Sequence, residues 1–207
     1  MKAWEKYSEY LLSGEWHVHT KYTDGNSTVE EYCRKAEAIG LPLIAITEHV
    51  RRELSYDFNM LLSDIEKARE EHPSLVILSG CEAKMLPDGT LDAPEEVLKE
   101  AEHILFAFHS FPKDKKLYLE TLEKAIENPK VCAWAHPGLY LKKHQIFLEE
   151  KDLERILKKM KRNKVLLEVN KKYSLPPTSW NNLIEKTGVF TVRGTDAHSV
   201  NELSRTD

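Results

Sequence analysis

Apolar residues gather into short runs at a steady rhythm, over positions 16–19, 43–49, 75–82, 104–109, 131–136, 165–170 and 190–196. Each run has the length of a strand and is rich in Val, Ile, Phe and Trp, side chains that suit a pleated surface. Between the runs the apolar positions recur with helical spacing. Over 28–39, Val29, Tyr32, Cys33, Ala36 and Ile39 share one face, Thr28-x-x-Glu31 has the form of a capping box, and Gly40 stands where a helix stops. Further helices are predicted over 2–12, 60–71 before Pro73, 94 to about 103 with Pro94 in the first turn, 117–127 before Pro129, 151–162, and 177–187 before Gly188.

Strands that alternate with helices pair in parallel, and seven of them form either an open doubly wound sheet or a barrel. A barrel brings the C-terminal end of every strand to one shared rim, whereas an open sheet joins only a few. The polar residues decide for the barrel. Six of nine histidines (His17, His19, His49, His109, His136 and His198) stand at or just beyond the C-terminal end of a predicted strand. Asp24, Glu82 and Asp196 join them there. The fold class expected is therefore α/β, a seven-stranded (β/α)7 TIM-like barrel, as one domain over 1–207, with the 2–12 helix plugging or flanking it.

Side chains two apart on a strand share a face, so His17 and His19 point together, as do Glu168 with Asn170 and Asp196 with His198. Such pairs on rigid strands supply the convergent lone pairs that a metal ion needs. One histidine at a strand end is usually a hydrogen-bonded core residue. Packing does not require one at strand end after strand end, because an imidazole is costly to bury unsatisfied. His72, His103 and His144 fall in predicted helix ends or a loop and read as ordinary surface residues.

Composition narrows the class further. The 207 residues are 41% apolar and 31% charged, the balance of a globular protein. Thirty Lys plus Arg against 34 Asp plus Glu gives a formal charge of −4, which disfavours a general nucleic-acid binder. No apolar run reaches bilayer-spanning length, and the first residues lack the apolar core and cleavage site of a secretory signal. Cys33, Cys81 and Cys132 are odd in number and widely spaced, so they read as buried free thiols, and a cytoplasmic address is expected.

Taken together, the motifs His17-Val-His19-Thr with Thr23-Asp24-Gly25, Thr47-Glu48-His49, Gly80-Cys81-Glu82-Ala83, Phe108-His109-Ser110, Ala135-His136-Pro137 and Gly194-Thr195-Asp196-Ala197-His198 resemble the PHP family, named for polymerases and histidinol phosphatase. Glu48 stands where Asp is more usual. The segment from Glu82 to Asp92 looks like the PHP domains of bacterial family-X DNA polymerases and their stand-alone relatives. The resemblance implies a distorted seven-stranded barrel with three divalent ions of zinc, manganese or iron. It implies one ion on His17, His19, Glu82 and Asp196, a second on Glu82, His109 and His136, and a third on Asp24, His49 and His198. Glu82, Asp196 and His198 are thereby expected to be catalytic as well as metal-binding. An all nitrogen and oxygen donor set, with no thiolate, fits those metals and disfavours a closed structural zinc site.

A multinuclear centre lowers the pKa of a bridging water and clamps phosphoryl oxygens through in-line displacement. The activity expected is hydrolysis of a small-molecule phosphate monoester, histidinol-phosphate-like or nucleotide-like. A nuclease or DNA 3′-end processing activity is the alternative, and a non-catalytic metal-binding regulatory module comes last, because every ligand is present. Amidohydrolases also carry His-x-His on barrels, but the full motif set fits them less well. Arg51, Lys171 and Arg193 are the expected phosphate-binding cations, and Tyr140 and Tyr173 either stack on a substrate ring or pack beneath a loop. With only nine residues after His198, the last strand is expected to lack a full covering helix.

Overall fold

The computed structural model describes residues 1–205. The strands are β1 (Glu15–Val18), β2 (Leu43–Val50), β3 (Val76–Met85), β4 (Leu91–Asp92), β5 (His103–Ala107), β6 (Ala133–Trp134), β7 (Leu166–Val169) and β8 (Thr191–Arg193). Seven of them pair in parallel in the order β1-β2-β3-β5-β6-β7-β8, while β4 folds back antiparallel on β3. The ends of the sheet meet at a parallel bridge between Val18 and Ala197. There the His19 amide donates to the Ala197 carbonyl at 2.8 Å, and the Ala197 amide donates to the His17 carbonyl at 3.2 Å. The barrel is thus nearly closed, and its seam lies between the His17/His19 and Asp196/His198 pairs.

Helices α1 (Ala3–Lys6), α2 (Val29–Ala38), α3 (Phe58–Glu71), α4 (Glu95–Glu100), α5 (Lys115–Glu127), α6 (Leu139–His144), α7 (Glu150–Asn163) and α8 (Asn181–Thr187) occupy the connections. Local chemistry sets their ends. The capping box of α2 is made in both directions, with Thr28 Oγ1 accepting from the Glu31 amide and Glu31 accepting from the Thr28 amide. Asp57 and Asp114 cap α3 and α5, and α8 stops on left-handed Gly188.

Strand alternation divides the core into two layers. Leu43, Ala45, Leu78, Leu105, Ala107, Ala133, Leu166 and Val192 fill the barrel interior with Trp16. Their neighbours Ile44, Ile46, Ile77, Ala83, Ile104, Phe106, Trp134 and Leu167 face outward under the helices. Trp4 and Leu11 join the interior layer, so the N-terminal segment plugs the barrel. The segment is α1 followed by a 3-10 turn at Ser8–Tyr10 rather than the single helix expected over 2–12.

Several expectations are corrected. β4 and α6 lie in segments for which the sequence predicts no element, and α4 ends at Glu100 instead of near His103. His103 opens β5 and is fully buried against Trp16, with ring centroids 5.0 Å apart. His72 is buried too, gripped between Glu37 at 2.7 Å and Glu30 at 2.9 Å. His144 packs against Tyr140, the tilted rings 4.2 Å apart between centroids. After β8 the described chain forms only a 3-10 turn at Val200–Glu202. All three cysteines are free and buried, and Cys81 faces outward, away from the histidine cluster. No described helix is long and apolar enough to cross a membrane.

Candidate metal centre

The C-terminal rim of the barrel gathers five imidazoles around one carboxylate. Glu82, at the interior-facing position after Gly80 on β3, is completely buried. Its Oε1 lies 2.8 Å from His136 Nε2 and 3.2 Å from His109 Nε2. Its Oε2 lies 2.8 Å from His49 Nδ1, 3.6 Å from His19 Nε2 and 3.7 Å from His17 Nε2. Asp196 Oδ1 approaches the same pair, at 3.0 Å from His19 and 3.6 Å from His17. Toward solvent, the Asp24 carboxylate sits 3.5 Å from His49 Nε2 and 3.3 Å from His198 Nε2.

These contacts form three overlapping groups whose ligand atoms lie within 4.8 Å of one another: His17, His19 and Glu82; His49, Glu82 and His109; and His19, Asp24, His49 and His198. All nine expected ligands therefore converge. The grouping differs from the expected one in that His49 faces Glu82 through one nitrogen and Asp24 through the other. The residues fit a cation. Glu82 Oε2 and His49 Nδ1 are buried 2.8 Å apart, yet neither makes a hydrogen bond. Lone pairs that converge without an intervening donor are what a metal ion satisfies.

A family model for the PHP domain matches residues 15–172, a span that holds seven of the nine converging side chains and stops short of Asp196 and His198. The chain belongs to the PHP domain family. It is 31% identical over 204 residues to a probable phosphatase of Acetivibrio thermocellus, covering 92% of this chain and 81% of that protein. It is 27% identical over 202 residues to the DNA polymerase/3'-5' exonuclease PolX of Bacillus subtilis. That match covers 93% of this chain but 35% of the polymerase, so this chain spans about a third of that relative's length. Among solved structures, the histidinol phosphate phosphatase of Lactococcus lactis, complexed with zinc, L-histidinol and phosphate, shares the fold with a TM-score of 0.71. Its sequence identity is 16%, and the alignment covers 91% of this chain and 87% of that one.

The electrostatics of this PHP domain suit divalent ions. Burial opposes ionisation of Glu82, but His109, His136 and His17 outweigh it and hold the carboxyl well below its ordinary range. Burial likewise works against Asp196, and His17 and His19 bring it down. Burial, with His17 and His49 beside it, lowers His19 to about 4, so its ring is neutral at pH 7, as a ligand must be. At His17 burial pulls the other way, yet the Glu168 and Asp196 carboxylates prevail and raise it, which marks a place where positive charge is favoured.

Supporting residues complete the PHP site. Glu168, on β7, places Oε2 2.6 Å from His17 Nδ1, and its Oε1 accepts from the His136 amide at 3.0 Å and from Asn170 Nδ2 at 2.9 Å. The approach depends on Gly194, where a Cβ would lie 2.7 Å from the Glu168 carboxyl and 2.9 Å from His17 Cβ. Glu48 faces away from the centre and accepts from the Thr20 amide at 2.7 Å and from the Thr23 hydroxyl. It thereby pins the turn that carries Asp24. Gly25 is needed in that turn, since a Cβ there would sit 2.0 Å from the His19 carbonyl oxygen. Tyr173 donates its hydroxyl to Asp196 Oδ2 at 2.9 Å, and Lys172 donates to the Asp196 carbonyl at 3.0 Å.

The expected phosphate-binding cations fare unevenly. Arg51 lies at the rim, its guanidinium donating to its own neighbour's carbonyl at Val50 and standing 3.8 Å from Asp92. Lys171 is exposed beyond β7. Arg193 is not at the centre. Val192 faces the interior, so Arg193 faces out, where it is buried on the Gly14 and Ser204 carbonyls and beside Glu15 at 3.6 Å. Tyr140 packs under a loop, donating to the Phe111 carbonyl at 2.7 Å.

Proposed function

We propose that this enzyme, a metal-dependent phosphoester hydrolase of the PHP family, binds three divalent ions and hydrolyses a small-molecule phosphate monoester, histidinol-phosphate-like or nucleotide-like. The observation that carries the reading is the single buried Glu82 carboxylate within reach of five imidazoles, flanked by Asp196 on one side and Asp24 on the other. His17, His19, Asp24, His49, Glu82, His109, His136, Asp196 and His198 would hold the ions, with zinc, manganese and iron all suited to the donor set. When bound, such ions acidify water and neutralise charge on a phosphoryl group.

The chain's own residues supply position. Glu82, Asp196 and His198 would act as the catalytic ligands: Glu82 and Asp196 both approach His19, and His198 stands beside Asp24. Tyr173 holds Asp196 in place, Glu168 orients His17, and Arg51 stands at the rim to receive phosphate oxygens. Similarity to a probable phosphatase over most of both chains supports the monoester reading, and net charge of −4 accords with a small substrate rather than a polynucleotide. The buried free thiols accord with a cytoplasmic setting.

Turnover of small phosphomonoesters, phosphodiesters and single-stranded DNA by zinc- or manganese-loaded protein, with metal content determined on the same sample, tests the proposal. Monoester hydrolysis with about three ions bound is the expected result. Cleavage confined to DNA would replace the reading with nucleic-acid processing, toward which the likeness to PolX points.

A further inference from the structure

Side chains two apart on one strand stand on the same face, about 6.5 Å further along it. On β2 and β3 this rule raises a second tier above the ligands. Val50 and Ala83 are paired neighbours that face outward into the helical layer, so the flanking residues face inward. Glu82 is one of these, and Lys84 is the next. Met85 returns to the outer layer, and the partner of Lys84 across the parallel ladder is Ala107, a member of the interior layer. Lys84 therefore projects from the wall of the barrel above Glu82, toward its catalytic mouth.

Lys84 is half-buried as a residue, and its ammonium makes no hydrogen bond or ion pair with any described residue. A lysine that stands on a barrel wall ordinarily turns its ammonium to a nearby carboxylate or to solvent. A carboxylate is close at hand. Asp92 is directly opposite Lys84 on antiparallel β4 and so shares its face. That carboxylate is engaged elsewhere: Oδ1 accepts from the Arg52 amide at 3.1 Å, and Oδ2 lies 3.8 Å from Arg51 Nε. Asp92 thus serves the Arg52 backbone and stands beside Arg51, and the lysine is left unpaired. Glu82 is likewise engaged by its imidazoles.

We infer that Lys84 is a substrate-anchoring residue, its ammonium taking non-bridging oxygens of the phosphate group seated over the Glu82 and His49 side of the centre. The inference rests on the phosphoester-hydrolase reading of this site and adds to it a second cation beside Arg51. A flexible stem with a compact charge suits a phosphate whose orientation changes as its ester bond breaks, since lysine binds as a point charge and imposes no fork geometry.

The test compares wild type with Lys84→Met and Lys84→Arg, each loaded with manganese and assayed for bound metal. Calorimetry measures affinity for inorganic phosphate, and steady-state kinetics on a phosphomonoester separates KM from kcat. Lys84→Met is expected to keep its full metal content and to bind phosphate about 10- to 100-fold more weakly, the loss of one charge-assisted hydrogen bond, with KM raised accordingly. Lys84→Arg should recover most of that affinity. Unchanged phosphate affinity in metal-replete Lys84→Met overturns the inference, as does loss of metal that arginine fails to rescue. Should wild type hydrolyse no monoester at all, the function reading fails, and phosphate affinity still decides the role of Lys84.

Discussion

His17 presents Nδ1 to the Glu168 carboxylate at 2.6 Å, both side chains buried, and this contact determines which imidazole nitrogen faces the centre. With the proton on Nδ1 donated to Glu168, the Nε2 lone pair is directed at Glu82 and Asp196. The other Glu168 oxygen holds the His136 amide, so one carboxylate orients residues on two strands. Glu168→Ala is expected to weaken metal binding by about 10- to 100-fold, the usual range for a partner behind a ligating histidine. Gly194→Ala should act in the same direction by pushing that carboxylate off the ring. Metal titration of the apo protein measures both, and wild-type affinity in Glu168→Ala would remove the orienting role.

Glu82 lies deeper in the same network. Five imidazoles depend on it, whereas Glu168 touches one ring, the His136 backbone amide and the Asn170 side chain. If loss of an outer partner costs about 10- to 100-fold, Glu82→Ala should exceed about 100-fold in turnover and reduce the number of bound ions. Elemental analysis beside an activity assay checks this. A variant that keeps both its metal complement and its rate would show that Glu82 bridges nothing.

Which parts of this could be read without coordinates follows from how far the alternation of side chains carries. The same alternation that paired His17 with His19 puts Glu82 with Lys84 and His103 with Leu105 on one face, and sets the adjacent Val192 and Arg193 on opposite faces. Followed that far, it places His103 inside the barrel and turns Arg193 away from the rim. Proximity in sequence to the last motif suggested the opposite for Arg193, because nearness along a strand does not distinguish its two faces. The roles of Glu168 and Glu48 were less legible. Their partners, His17 and the Thr20–Thr23 turn, lie 151 and about 28 residues away, and only the closed barrel brings them together.

Arg193 instead offers a stability prediction. It faces Glu15, a fully buried carboxylate that burial raises to about 6 against the opposing pull of the guanidinium. Glu15 in turn accepts from the His17 amide at 3.2 Å and the Thr195 amide at 2.9 Å, joining the two sides of the barrel seam. Arg193→Ala strands that carboxylate, and breaking a buried pair in this way costs about 3–5 kcal/mol. Urea unfolding should record the loss. KM for a phosphate ester in the protein that remains folded should stay near the wild-type value, and a large rise would return Arg193 to the substrate site.

His72 provides a pH-dependent test away from the centre. Hydrogen bonds to Glu37 and Glu30 raise the imidazole above its ordinary value. Glu30 is lowered chiefly by His72, and Glu37 by Ser74 and then His72. The raised imidazole contributes stability fully below its unfolded pKa of about 6.5, and that contribution fades as pH rises through the higher folded value. The lowered carboxylates contribute above about 4.5 and lose their share as pH falls through their folded values. The clamp is therefore strongest between roughly pH 4.5 and 6.5. Both carboxylates are about one-third exposed, so solvent screening limits the whole effect to about 1 kcal/mol or less. Chemical denaturation of wild type and His72→Gln across pH 4–9 should show a stability gap that is widest near pH 5.5–6 and narrows by pH 9. A gap independent of pH would mean that His72 contributes packing alone.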